Sequence, residues 1–216
     1  NATQCFIGDF DGTTFTPDPL PYPLWIDYGR DNYAGVTWSN IPESDGRRLF
    51  IGWMNNWDYG NVVPTRNFRS AMTLPRELRL AHNGLHMVVA SFPVKEVGDE
   101  KDGTPIIMDK LAEDTFPIGA DYYNNGYVLS FTIKPNGLSK FDFALQNSKG
   151  EKIIFAFDTN QKTFVVDRSQ SGLSDFSNNF AKPLIKAPLT KKDSYTIHMW
   201  VDKASTEVFI NGGEVV

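Results

Sequence analysis

At 216 residues the chain is long enough for one large or two smaller domains with a buried core. Its 21 basic and 26 acidic residues are interspersed and leave a net charge of −5, which excludes nucleic-acid recognition through a clustered basic face. There is no run of about 18 apolar residues to cross a membrane. The single Cys5 excludes an internal disulfide framework and a multi-cysteine metal site.

The chain opens Asn1-Ala2-Thr3-Gln4, without Met or an apolar leader, and is expected to start inside a longer precursor. Short apolar runs separated by turn residues then recur to the end, and no stretch carries the periodicity of an amphipathic helix. This pattern predicts an all-β chain. Its 16 Phe, 8 Tyr and 5 Trp suit half-buried pleated surfaces, and exposed aromatics also suit sugar-binding clefts. Phe6-Ile7-Gly8-Asp9 recurs as Phe50-Ile51-Gly52-Trp53, a spacing of roughly 40–45 residues that matches a four-stranded propeller blade.

Residues Ile26 to Ala34 place Asp27, Arg30, Asp31, Tyr28 and Tyr33 around Gly29. The segment reads either as a solvated loop before a strand or as a cleft loop whose Asp31 accepts hydrogen bonds from ligand hydroxyls. Asp27 and Asp31 make a poor catalytic pair: four extended residues span about 13 Å, whereas glycosidase carboxylates stand about 5–9.5 Å apart. Arg48 to Met54 is apolar on both faces, as a central strand requires. It runs into Gly52-Trp53-Met54-Asn55-Asn56-Trp57-Asp58-Tyr59-Gly60, where aromatic rings and amides suit a sugar's faces and hydroxyls. Trp53, inside the strand, is expected in the core, and Trp57, beyond it, at a binding surface.

Farther on, Arg76 and Glu77 read as a structural salt bridge closing a propeller or as catalytic groups. His82 and His86 flank an Asn83-Gly84 turn, not a helix, so they lack the spacing of a zinc-protease site. No phosphate loop, nucleophile elbow or Ser/His/Asp set is present. The charged segment 94–105 is expected to link an N-terminal part, 1–93, to a β-sandwich, 106–216. Strands are expected at Tyr127 to Ile133, Lys152 to Phe157, Thr163 to Val166, Tyr195 to Val201 and Glu207 to Ile210. Turns are expected at Pro135-Asn136-Gly137, Ser148-Lys149-Gly150, Asp158-Thr159-Asn160 and Asn211-Gly212-Gly213.

In this order, Phe6 to Gly12, Asp27 to Ala34, Gly52 to Trp57, Pro64-Thr65, Arg69 to Leu78 and Val201 to Gly213 resemble glycoside hydrolase family 32, which holds levanases, inulinases and invertases. The resemblance implies the last blades of a five-bladed β-propeller followed by a β-sandwich cut short at its C-terminus. It implies retaining hydrolysis of β-fructofuranosidic bonds in levan, inulin or sucrose, by an Asp nucleophile and a Glu acid/base. The family's Asn-Asp-Pro, Arg-Asp-Pro and Glu-Cys stretches do not occur in these residues, so no catalytic residue is assigned here and the chain by itself is expected to be inactive. A missing N-terminal propeller segment is the expected partner, and no metal, organic cofactor or membrane is implied. The resemblance places Asp31 and Trp57 at the floor and wall of the fructose pocket, with Tyr33 and Asn55 as further substrate-binding candidates. It also implies a secreted, periplasmic or cell-surface protein. The alternatives are a non-catalytic fructan-binding module and a sandwich that only stabilises the propeller.

Overall fold

The computed structural model describes residues 2–98, 115, 117, 126–181 and 183–216. Nearly every element is a strand, as the short apolar runs predict. The expected linker at 94–105 falls largely outside the described residues, as does the expected start of the sandwich. Within it, Lys95–Val97 forms a single 3-10 turn.

The N-terminal half begins with two small sheets. β1 (Gln4–Cys5) pairs with β4 (Leu24–Trp25), and β2 (Gly8–Phe10) pairs with β3 (Phe15–Pro17). A four-stranded antiparallel meander follows, of β5 (Tyr33–Thr37), β6 (Arg48–Trp53), β7 (Arg76–His82) and β8 (Met87–Pro93) in chain order. This is the arrangement expected of one propeller blade. The two copies of the Phe-Ile-Gly repeat differ in setting. Phe50 lies in β6 at 2% exposure, whereas Phe6 precedes β2 at 64% exposure, so the same three residues serve different surroundings.

Among the described residues, the C-terminal half forms two sheets. One orders β9 (Tyr127–Ile133), β14 (Tyr195–Val201) and β15 (Thr206–Ile210), with β14 central. The other orders β10 (Lys140–Gln146), β11 (Lys152–Asp158), β12 (Thr163–Gln170) and β13 (Ile185–Pro188). Asn136 and Gly137 both take positive φ, the conformation Asn and Gly tolerate, and their turn passes the chain from one sheet to the other. Side chains on a strand alternate between faces, so Tyr195, Ile197 and Met199 of β14 enter a common core with Phe155, Phe157 and Phe164. Phe141 stacks on Phe157 at 4.7 Å between centroids, and Phe143 on Phe155 at 4.9 Å. Among the described residues, the one α-helical turn, α1 (Asn178–Ala181), is too short to show in the periodicity.

The opposite face of the β14–β15 sheet packs on the N-terminal half. Phe92 of β8 sits among His198, Trp200 and Phe209, with centroids 5.2, 5.9 and 5.5 Å away. Backbone hydrogen bonds from Ser91 to Gly213 and from Tyr28 to Val216 join the halves further. Arg76 crosses the same boundary. Its neighbour Glu77 points to the other face of β7 and pairs with Arg79, so Arg76 and Glu77 enter separate salt bridges. Arg76 instead donates from Nη1 to Asp27 Oδ2 at 2.9 Å and from Nη2 to Glu207 Oε2. The bridge ties the meander to the sandwich.

Candidate functional site

The loop before β5 and the turn after β6 emerge side by side because Tyr33 and Trp53 are cross-strand partners. The ladder shifts by one residue between Tyr33 and Val36, where Ala34 takes a φ of 50°. Such bulges bend a strand and re-aim its side chains. Here the bulge accommodates a close approach: a Cβ on Gly35 would stand 2.2 Å from the Phe50 ring.

Two groups of side chains result. Tyr33, Trp53 and Trp57 form an aromatic row, with centroids 6.4 Å apart for Tyr33–Trp53 and 5.0 Å for Trp53–Trp57. Trp57 is 63% exposed. Trp53, expected in the core, is only partly buried and serves as the middle of this row. Beside it lies Asp31, whose Oδ1 accepts from Asn56 Nδ2 at 2.9 Å and from the Tyr59 hydroxyl at 2.5 Å. Its Oδ2 accepts from Arg168 Nη1 at 2.6 Å. Arg30 pairs with Asp58 at 2.8 Å and binds the loop to the turn a second time.

Asn55 is the one buried member of the four sequence candidates, and its Oδ1 takes the Asn56 backbone N–H at 2.9 Å. Asp31, Tyr33 and Trp57 are each at least partly accessible. Asn56, Tyr59 and Arg168 were not identified from the sequence. Asn56 and Tyr59 lie inside a segment already marked by its aromatics and amides. Arg168 sits in β12, and its only local signal is a charged Asp167-Arg168 pair ending an apolar strand.

Burial pushes the Tyr59 hydroxyl up to about 12, reinforced by the charge of Asp31 and opposed by Arg168. Burial works against the Arg168 cation, but Asp31 and Tyr59 outweigh it and hold the guanidinium above its ordinary value. Asp27 is committed elsewhere, accepting from Arg76, from Asn32 Nδ2 at 3.2 Å and from the Gly29 backbone at 2.7 Å. The two carboxylates of this loop thus answer to different arginines. A groove of about 390 Å³ lined by Phe6, Ile7, Leu20 and Leu24 contains none of these residues. Among the described residues, no three His, Cys, Asp or Glu side chains converge as a metal ion would require. What the site offers is an apolar ring surface beside a fixed carboxylate, a pairing suited to a polyhydroxylated ring.

The chain is similar to known proteins over nearly its whole length. Residues 1–91 match the sequence family described as "Glycosyl hydrolases family 32 N-terminal domain", and residues 109–216 match "Glycosyl hydrolases family 32 C terminal". A levanase of Bacillus subtilis (strain 168) is 36% identical over 224 residues, covering 100% of this chain and 33% of its own. An extracellular exo-inulinase of Aspergillus awamori is 33% identical over 230 residues, covering 99% and 42%. The crystal structure of exo-inulinase from Aspergillus awamori superimposes with a TM-score of 0.82 at 30% identity, over 99% of this chain and 43% of that one. A fructofuranosidase of Schwanniomyces occidentalis complexed with fructosylnystose superimposes with a TM-score of 0.67 at 25% identity, over 98% and 45%. The chain spans between a third and a half of the length of these relatives. It belongs to glycoside hydrolase family 32.

Proposed function

We propose that the whole protein hydrolyses β-fructofuranosidic bonds in a fructan or in sucrose, and that these residues supply part of its sugar-binding surface. Residues 1–93 are then the closing part of a five-bladed propeller, 94–105 the linker and 106–216 the sandwich. Asp31 hydrogen-bonds a fructosyl hydroxyl, while Trp57 and Tyr33 provide ring surface. Asn55 holds the turn from which Trp57 projects. The observation that carries this reading is the aromatic row beside the anchored Asp31 carboxylate, in a chain matched from end to end by fructan- and sucrose-cleaving enzymes. The extracellular exo-inulinases among its relatives support a secreted protein.

The reaction requires an Asp nucleophile and a Glu acid/base, and the family's stretches for both are missing from these 216 residues. The 216-residue chain is therefore expected to release no fructose. The test is fructose release from levan, inulin and sucrose by the full-length gene product and by this chain. Activity confined to the full-length product and reduced by Asp31→Ala is the expected result. Release by the 216-residue chain, abolished by Asp31→Ala, would overturn the assignment. The rival, a fructan-binding module formed by the sandwich, gains no support from the aromatic row, which lies in residues 33–57.

A further inference from the structure

We propose that Arg168, carried by the sandwich, is the positioning residue for Asp31, so that the C-terminal half completes the sugar-facing site. The proposal rests on the reading above, in which Asp31 meets a substrate hydroxyl.

Arg168 reaches the site through an irregularity of its own strand. The β11–β12 ladder pairs Lys152 with Gln170 but Ile154 with Asp167, leaving Arg168 and Ser169 opposite Ile153. This bulge turns the side chain toward the N-terminal half. The guanidinium is then fixed on every side. Nη1 donates to Asp31 Oδ2 at 2.6 Å, Nη2 to the Tyr59 hydroxyl at 2.7 Å and Nε to the Phe180 carbonyl at 3.3 Å. Its Cζ lies 3.8 Å from the centroid of the Phe180 ring and 5.5 Å from that of Tyr59. Phe176 and Phe180 pack in turn on Tyr59, at 6.2 and 5.4 Å between centroids.

The resulting ring of hydrogen bonds has a direction. Arg168 donates to both Tyr59 and Asp31, and Tyr59 donates to Asp31. A carboxylate has about four lone-pair positions; Asn56 and Tyr59 occupy those of Oδ1, and Arg168 takes one on Oδ2. Among the described residues nothing takes the other position on Oδ2, on a side chain that is 25% exposed while Arg168 is 12% exposed. The carboxylate is accessible, and the group that orients it is not. Lysine is a poor substitute: a planar fork meets two acceptors while stacking on a ring, and an ammonium does not.

The test compares kcat and KM for fructose release from inulin and sucrose by the full-length gene product and its variants. Arg168→Met is expected to lower kcat/KM by about 10- to 100-fold, the scale set by misplacing a substrate contact by about an ångström. Arg168→Lys keeps the charge and guards against a folding failure; it is expected to recover part of that loss. Arg168→Met combined with Asp31→Asn is expected to be no worse than Asp31→Asn alone, because the two residues act as one unit. A purely structural Arg168 would make the two losses multiply, and that result, or wild-type kcat/KM in both Arg168 variants, overturns the inference while leaving the hydrolase reading intact. An inactive full-length product, or full activity in Asp31→Asn, overturns both.

Discussion

Replacing Glu207 by Gln keeps its shape and its acceptor for the Leu74 backbone N–H, which it now holds at 2.8 Å, but removes its charge. The amide would also turn a donor toward Arg76 Nη2, where the carboxylate now accepts. Arg76 is 1% exposed, so water cannot screen what is lost. Breaking a buried ion pair by removing one partner costs about 3–5 kcal/mol. Asp27 still pairs with Arg76, which puts the expectation at the low end, about 3 kcal/mol. For a chain of this size that is a fall in Tm of about 6–12 °C. Calorimetry or a urea titration followed by tryptophan fluorescence measures it. Adding Arg76→Met removes the stranded cation and leaves Asp27 with Gly29 and Asn32, so the double variant is expected to regain part of the loss. A Tm within about 2 °C of wild type for Glu207→Gln, or a double variant that adds the two losses, would refute the reasoning.

Trp57→Ala removes an exposed ring and is expected to change stability by less than about 0.5 kcal/mol, while raising KM of the full-length product about tenfold, the worth of one ring contact. Gly52→Ala would place a Cβ 2.0 Å from Oδ1 of the buried Asn32, whose Nδ2 donates to Asp27; a loss of about 1–3 kcal/mol is expected by urea denaturation. The raised Tyr59 hydroxyl favours the folded state fully below its ordinary value near 10, and that contribution is lost as pH climbs toward about 12. Wild type should therefore lose stability between pH 10 and 12 more steeply than Tyr59→Phe, as urea midpoints across that range would show.

Much of the strand pattern is legible in the chain because alternation is local. Tyr127 to Ile133 and Tyr195 to Val201 each present one apolar face, and both are strands with those limits. The second face of β14, with His198 and Trp200, is explained by Phe92, which makes that sheet buried on both sides. β10 alternates Phe141, Phe143 and Leu145 as clearly and was open to the same reading. β7 was not: Arg76, Glu77 and Arg79 put charges on both faces, and while Glu77 and Arg79 pair locally, only tertiary pairing explains the buried Arg76. The site divides in the same way. Asp31, Tyr33, Asn55 and Trp57 stand in two short segments whose composition is unusual in itself. Arg168, the partner of Asp31, and Glu207, a partner of Arg76, each lie more than a hundred residues from the group they meet, and nothing in the local sequence of a strand says which distant carboxylate its arginine will meet.

The two crossings have a common target. Asp27 and Asp31 stand on one short loop, and each is gripped by an arginine whose hold depends on the sandwich. Arg76 spans from Asp27 to Glu207 of β15, and Arg168 of β12 reaches Asp31 directly. A sandwich that merely buttressed its neighbour would need only apolar contact, such as Phe92 makes with Phe209 and Trp200. Apolar contact is non-directional and tolerates small slides and rotations. Charge-assisted hydrogen bonds at both ends of a loop do not, because a shift that lengthens either one leaves a largely buried cation under-paired. The loop bearing Asp31 therefore takes its position from both halves at once, and the sandwich acts on the surface around Asp31 through it.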